Sequence, residues 1–353
     1  MPQLPQNLQD LARPMNAIAK LPYFSYNAGF YLGMLSAAFD MPEKDRRKFI
    51  VGNMLTPEAI AEPIRKHRLE ETEEGVQRAV RRQILTCAVN AWTLTKEVVA
   101  IDDDFREEAF KARFDLALNI GDLERLLGYP VYFALPLSDA EKASYQGAAS
   151  IASVEPSLFG HEGRTGFLIC LSKITKEVAH LDLLVVVETP EKPSFQRISL
   201  TLPVSEGEVS IEAFRDSLLE VAKGKGVLIT DVSCEELYSA LIAFLSDVPE
   251  AIEMREHHPQ IHFKKRRKAG GLVICTAEKV HVAVVGKQFG EQIRELRVRR
   301  ASATPSDGTR TVRPHLRRGH WSHDGYGPRN SENRECRIRW LQPIFVHSTE
   351  LVK

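Results

Sequence analysis

The sequence predicts an α+β fold: a helical N-terminal region followed by a mixed or antiparallel sheet with flanking helices and a C-terminal β-hairpin. Three observations carry that expectation. Apolar residues recur every three to four positions over the first third of the chain, the pattern of helices with one buried face. From Tyr129 onward the pattern changes to short β-rich apolar runs punctuated by proline and glycine. Near the C-terminus, Arg337-Ile-Arg-Trp340 alternates charged and apolar residues with the period of a half-buried strand. The expected division is 1–128 mostly helical, 129–300 an α+β sheet domain, and 301–353 a basic extension packed on that domain.

The elements follow in order. Residues 1 to 13 are rich in Pro and Gln and read as disordered. Asp40 and Glu43 form a capping box around Pro42, and Thr56-Pro-Glu58 supplies a cap, an N1 proline and an acidic first turn. Val76, Val80, Ile84, Cys87, Ala88 and Trp92 mark the buried face of a long helix running from Val76 to Val98. Another helix follows Asp102-Asp-Asp104 and turns Phe105, Ala109 and Phe110 inward, with Phe114 a turn later. Those aspartates read as an N-cap with favourable dipole charges, the alternative being a carboxylate cluster for a metal. Glu70-Glu-Thr-Glu-Glu74 reads as a solvated helix start, or else as an acidic docking face.

Tyr129 to Leu135 is strand-like, and Ser138 with Glu141 opens a helix by a capping box. Phe167–Leu171, Leu181–Val187 and Phe195–Leu202 read as strands. The unbroken run Leu183-Leu-Val-Val-Val187 implies a strand covered on both faces. A helix from Ser210 carries Phe214, Leu218 and Val221 and stops at Gly224-Lys-Gly226. A second opens at a Ser233/Glu236 capping box and presents Leu237, Leu241, Phe244 and Leu245. Gly271–Cys275 and Val280–Val285 read as a hairpin joined by Thr276-Ala-Glu-Lys279, followed by the charged segment Glu291–Arg300 and the loop-like Ala303–Gly308.

Composition narrows the function classes. With 43% hydrophobic and 27% charged residues the chain is globular, and no apolar run approaches the roughly 18 residues of a membrane span. Met-Pro-Gln-Leu-Pro-Gln lacks the basic and apolar regions of a secretory signal, so a cytoplasmic location is expected. The five cysteines (Cys87, Cys170, Cys234, Cys275, Cys336) are scattered with no C-x-x-C, which signals neither a disulfide framework nor a zinc ribbon. The P-loop, G-x-G-x-x-G, G-x-S-x-G and H-E-x-x-H patterns are missing, and Gly224-Lys-Gly226 follows a helix instead of a strand; no cofactor is expected. His257-His-Pro-Gln-Ile-His262 is the remaining metal candidate, but Pro259 breaks the i, i+4 geometry that would align its rings, and no metal is expected. Lys264-Lys-Arg-Arg-Lys268 reads as a phosphate contact or an exposed loop flank.

A formal net charge of zero hides an asymmetry. Residues 261–353 hold 20 Lys and Arg against 8 Asp and Glu, so the first 260 carry an equal acidic surplus. Either the two parts attract each other or the basic part meets an acidic partner. The basic residues concentrate in Thr311-Val-Arg-Pro-His-Leu-Arg-Arg-Gly-His-Trp321, Tyr326-Gly-Pro-Arg329 and Arg337-Ile-Arg-Trp-Leu-Gln-Pro-Ile-Phe-Val346. Guanidinium groups bind oxyanions as a planar fork and stack on aromatic faces, so a surface for an anionic or extended polymeric partner is expected. Its candidate residues are Arg313, His315, Arg317, Arg318, His320, Trp321, Arg337, Arg339 and Trp340. The same alternation equally describes a terminal hairpin whose Trp321, Ile338, Trp340 and Ile344 are core.

The run Arg-Pro-His-x-Arg-Arg-Gly-His-Trp, then a Gly-Pro turn, then Arg-Trp-x-x-Pro-x-Phe-Val resembles a C-terminal signature of plasmid- and phage-borne bacterial proteins. Among them are anti-CRISPR proteins that act against type V-A systems by suppressing production of the effector nuclease. The resemblance spans residues 311–347, and where the signature continues with aromatic and basic residues this chain has Ser322-His-Asp324. It implies a non-catalytic inhibitor or regulator whose partners are a nascent or mature effector polypeptide and, directly or through the ribosome, its mRNA. Two other readings stay open. One is a metal-independent ribonuclease with His315, His320 and His323 as general acid and base. The other is a DNA-binding plasmid regulator using the same charge.

Overall fold

A computed structural model describes residues 7–21, 24, 61, 65–66, 72–111, 117–124, 126, 130–152, 158–225, 227–256, 262–265, 272–302, 315–317, 319–326, 335–341 and 344–346. Its centre is a mixed six-stranded sheet. Helix α1 (Arg13–Ala19) and helix α2 (Glu73–Thr95) precede its first strand, β1 (Glu97–Ile101). Thr72 caps α2 by accepting from the Gly75 amide at 3.0 Å, and the helix ends where Lys96 adopts a left-handed φ of 48°. The expected helix to Val98 is therefore too long. The β-branched run Glu97-Val-Val-Ala-Ile101 is a fully buried strand, and the Trp92 indole donates to the Glu97 carbonyl at 2.9 Å, stapling helix to strand. Thus the region expected to be helical gives the sheet one of its strands.

Helix α3 (Asp103–Lys111), strand β2 (Leu118–Asn119), helix α4 (Ile120–Glu124), strand β3 (Val131–Phe133) and helix α5 (Asp139–Ala152) come next. The long strands are β4 (Arg164–Ile174), β5 (Val178–Val187) and β6 (Ser194–Pro203); a two-residue β7 (Glu208–Val209) pairs with β2. Helices α6 (Ile211–Gly224), α7 (Asp231–Leu245) and α8 (Pro249–Glu256) follow, then strands β8 (His262–Lys265), β9 (Leu272–Cys275) and β10 (His281–Val285), and helix α9 (Lys287–Ser302). Strand order is β10-β1-β3-β4-β5-β6, with β1 parallel to both neighbours and the remaining pairs antiparallel.

Alternation along each strand feeds two apolar layers. Val98, Tyr132, Leu168, Cys170, Leu184 and Val186 pack under α1 and α2, against Met15, Ile18, Val80, Ile84 and Trp92. Val99, Phe133, Phe167, Ile169, Leu183 and Val185 pack on the other side, with Phe214 of α6 and Leu237, Leu241 and Phe244 of α7. With helices on both faces, Leu181 to Val187 is buried at every position, as its unbroken apolar run required.

Some expectations need correction. Leu8–Ala12 is a 3-10 helix, and the Gln9 amide brackets Val280 through two bonds of 3.1 Å, so this end of the chain is tied down by Ala12 and Met15 entering the core. The segments expected to pair as one hairpin join different sheets: β9 pairs with β8, and β10 lies parallel to β1 at the sheet edge. Helix α7 starts at Asp231, with Thr230 accepting from the Ser233 amide, which moves Ser233 and Glu236 from a cap into the first turns. Asp40, Glu43 and Thr56–Glu58 lie outside the described residues, as do residues 303–308.

The charge asymmetry is resolved in part. Arg294 and Arg297 of α9 lie across α3, where Arg294 meets Asp102 at 3.3 Å and Asp104 at 2.6 Å, and Arg297 reaches Asp104, Glu107 and Glu108. Basic residues of the C-terminal part thus fold onto carboxylates of the N-terminal part. Close approach is possible because glycines stand at the facing positions, Gly290 in α9 and Gly286 just before it: a Cβ on Gly290 would stand 1.8 Å from the Asp102 carboxylate, and one on Gly286 would stand 2.1 Å from the Phe105 ring.

Candidate functional site

Beyond α9 the chain forms β11 (His315–Arg317), β12 (His320–Tyr326), β13 (Glu335–Leu341) and β14 (Ile344–Val346). β12 and β13 are the expected C-terminal antiparallel hairpin, in a register that sets Trp321 opposite Trp340 and His323 opposite Ile338. The two indoles meet edge to face at 4.9 Å, and each also meets the Phe105 ring, at 6.0 and 5.3 Å. They are 6% and 3% exposed, and neither indole N–H has an acceptor among the described residues. The expectation that these tryptophans face outward is therefore corrected: they close the core over α3. The physical reason is area, since two indoles on one strand face gain far more from joining an adjacent aromatic cluster than from contact with water.

On the other side of the hairpin stand the polar residues whose side chains are described. His320 and Arg339 are exposed, and Ser322, the register partner of Arg339, is half-buried. His315 and Arg317 belong to β11, which pairs with β14 in a separate two-stranded sheet. Arg337 is the register partner of Asp324. Arg313 and Arg318 lie outside the described residues. Of the three histidines of the ribonuclease reading, only the His320 side chain is described; His315 and His323 are placed by backbone alone. His315 lies in β11, and His320 and His323 stand three positions apart in β12.

A second constellation, which the sequence reading did not single out, lies where the N-terminal turns of α3, α5 and α7 converge. Arg164, at the start of β4, is fully buried with its guanidinium bonded to both oxygens of Glu141 at 2.9 and 2.7 Å. It also donates to the carbonyls of Leu135 and Phe159 and lies over the Phe167 ring at 4.8 Å. Glu141 holds the Ser138 amide at 3.1 Å while Ser138 Oγ accepts from the Glu141 amide at 3.0 Å, so the expected capping box is present. Ser233 donates to Glu141 at 2.7 Å.

Next to this pair, Arg106 of α3 binds Glu236 of α7, and the Ser138 hydroxyl donates to the other Glu236 oxygen. The two carboxyls titrate apart. Burial works against the charge of Glu141, but the Arg164 guanidinium and its hydrogen bonds outweigh it and hold that carboxyl below its usual range. Burial pushes Glu236 up to about 7, with Arg106 opposing and the charge of Glu141 adding to the rise.

Glu236 and Arg106 form the inner wall of a cavity of about 300 Å³. Phe110 and Asp103 line it from α3, Ser138 and Asp139 from α5, and Val232 and Glu235 from α7. Burial, then the like charges of Asp102 and Asp104, raise the Asp103 carboxyl, with Arg106 opposing. Among the described residues no group of three or more His, Cys, Asp or Glu is arranged to hold a metal ion. The thiols of Cys87, Cys170 and Cys234 are unpaired and buried, and burial pushes Cys87 and Cys234 up to about 12, which leaves them without thiolate character.

A family model described as AcrVA2-like, the anti-CRISPR type V subtype A2 family, matches residues 126–348. The match covers well over half of the 353 residues. The chain belongs to the AcrVA2-like family. Its matched segment contains the sheet from β3 to β6, the α5 and α7 walls of the cavity and the whole C-terminal hairpin, far more than the 311–347 stretch from which the resemblance was read. AcrVA2-like membership supports a role as an inhibitor of type V-A CRISPR systems and an interaction with components of such a system. No curated protein matches the chain. Among the described residues no helix is long and apolar enough to cross a membrane.

The signal for the missed constellation was present but indirect. Glu141 and Glu236 each stood three residues after a serine, which reads as local capping; that Glu236 instead meets Arg106 is a contact between residues 130 positions apart.

Proposed function

We propose that this protein inhibits type V-A CRISPR immunity by lowering the amount of the effector nuclease, through binding a polypeptide or ribonucleoprotein target while the effector is made. The observation that carries this reading is the AcrVA2-like match over 126–348, which takes in the hairpin and the α5 and α7 walls of the cavity. The nascent effector chain is the proposed direct partner, with its mRNA and the ribosome engaged through it. The exposed His320 and Arg339 of the hairpin are the proposed contact residues on that face, together with Arg313, His315, Arg317, Arg318 and Arg337. Trp321 and Trp340 act through the hairpin they hold in place.

The test is effector protein and transcript abundance in cells expressing the effector with wild-type protein or with His320→Ala/Arg339→Ala. The expected result is a fall in effector protein with wild type and partial recovery with the variant. Unchanged effector protein under wild type would overturn the reading, and blocked effector activity at unchanged abundance would move the action to the mature nuclease.

A further inference from the structure

The cavity between α3, α5 and α7 has a chemistry that selects its occupant. We infer that it receives the basic side chain, Lys or Arg, of a polypeptide segment, with the alkyl stem against Phe110 and Val232 and the cationic head between Asp103 and Glu235. This deepens the proposed function and rests on it for the choice of a polypeptide as the source of the cation.

Three observations converge. First, the space is walled by residues of three helices and, at about 300 Å³, stands at the lower end of ligand-binding cavities, with room for one long side chain. Second, its charge is one-sided. Asp103, Glu107, Asp139, Glu235 and Glu236 line it against the single lining cation Arg106, whose Nη2 is bonded to Glu236 and the Pro136 carbonyl while its Nε has no acceptor among the described residues. Glu107 is paired with Arg297 at 2.9 Å. Asp139 has Lys142 at 3.4 Å, whereas the carboxylates of Asp103 and Glu235 have neither ion pair nor hydrogen bond among the described residues. Third, the wall between the charges is apolar, which suits a stem of methylenes that carries its charge at the tip.

An anion is the competing occupant, because residues from the first turns of three helices line the cavity and helix N-termini attract negative charge. The amides at the capping positions are already taken. Asp102 accepts from the Asp104 and Phe105 amides at 3.1 and 3.2 Å, Ser138 from the Glu141 amide at 3.0 Å, and Thr230 from the Ser233 amide at 3.3 Å. With the caps filled internally, the carboxylates set the field.

The experiment titrates the full chain at low salt with Nα-acetyl-lysine methylamide, its arginine counterpart, the uncharged norleucine counterpart and n-butylamine. The two basic probes should bind, the norleucine probe should bind about tenfold or more weakly, and Asp103→Asn/Glu235→Gln should weaken the basic probes by about tenfold. Both substitutions are isosteric and remove no hydrogen bond within the described residues, so the thermal midpoint should hold; raised salt on the wild-type chain gives an independent readout of the same charges. Equal affinity for the lysine and norleucine probes, or undiminished binding in the double variant, overturns the inference. Butylamine binding as tightly as the lysine probe would make the ligand a free amine and overturn the polypeptide source. Failure of every basic probe while wild-type protein still lowers effector abundance would remove the cavity assignment and leave the proposed function standing. Probe binding with unaltered effector abundance would do the reverse.

Discussion

Replacing Arg164 with Met tests the buried charge network most directly. The guanidinium is fully buried, and its partner Glu141 is 1% exposed, so Arg164→Met keeps most of the side-chain volume and strands a carboxylate in the interior. It removes both bonds to Glu141 and the donors to the Leu135 and Phe159 carbonyls. Breaking a buried pair by removing one partner costs about 3–5 kcal/mol. The lower end applies here, because Arg106 stays 3.8 Å from Glu141 and Ser233 still donates to it. Against a net stability of roughly 5–15 kcal/mol this is a large fraction. The second substitution, Glu141→Gln on top of Arg164→Met, removes the stranded charge and should recover ~2 kcal/mol, within the coupling range of residues in direct contact.

The sign with pH follows. In wild type the Glu141 carboxyl is held low by Arg164, so its contribution is present above the unfolded value and is lost only as pH falls through the lower folded one. Without Arg164 burial dominates and protonation relieves the stranded charge, so the Arg164→Met deficit should be larger at pH 8 than at pH 5. Urea unfolding followed by circular dichroism at both pH values measures this, provided the slope with urea is unchanged. A deficit under about 0.5 kcal/mol at pH 8, the size of an ordinary surface substitution, or one that grows on acidification, would refute the reasoning.

Three further outcomes are expected. Glu236 has its carboxyl raised from 4.5 to about 7, so the folded state holds a proton that the unfolded chain releases between those values. That contribution to stability should be greatest below pH 4.5 and lost by ~3 kcal/mol as pH rises through 7, and Glu236→Gln should flatten the slope over that window in urea titrations at each pH. Trp340→Ala empties the aromatic cluster around Phe105 and should cost about 3–5 kcal/mol, visible as a lowered urea midpoint, whereas Arg339→Ala on the exposed side should shift it by about 0.5 kcal/mol at most. Gly286→Ala meets two obstacles at once, a φ of 77° and the Phe105 ring at 2.1 Å, and should lower thermal stability more than Gly147→Ala, where an added Cβ meets nothing within 4 Å.

The elements legible in the sequence were those whose signals are local. The capping box at Ser138 and Glu141, the buried face of Val80, Ile84 and Trp92, and the run Leu183–Val187 all folded as read, because a helix turn or a strand face is settled within a few residues. Where two local signals competed, burial decided between them. Ser233 and Glu236 had capping-box spacing, yet Thr230 took the cap and Glu236 turned inward to Arg106. Trp321 and Trp340 had the composition of a contact surface and also the period of a half-buried strand, and the nearby Phe105 made the second outcome the stable one.

What the sequence alone determined is the α+β class, the helical start, the sheet with its doubly covered strand, the C-terminal hairpin and the kinship carried by residues 311–347. Periodicity and caps are short-range properties and survive whatever the rest of the chain does. Only the tertiary structure decided which charges neutralise one another, which face of the hairpin meets solvent, and that Asp103, Asp139 and Glu235 border one cavity. Those outcomes depend on desolvation and on contacts between residues more than a hundred positions apart, such as Arg294 with Asp102 and Arg106 with Glu236, which no window along the chain contains.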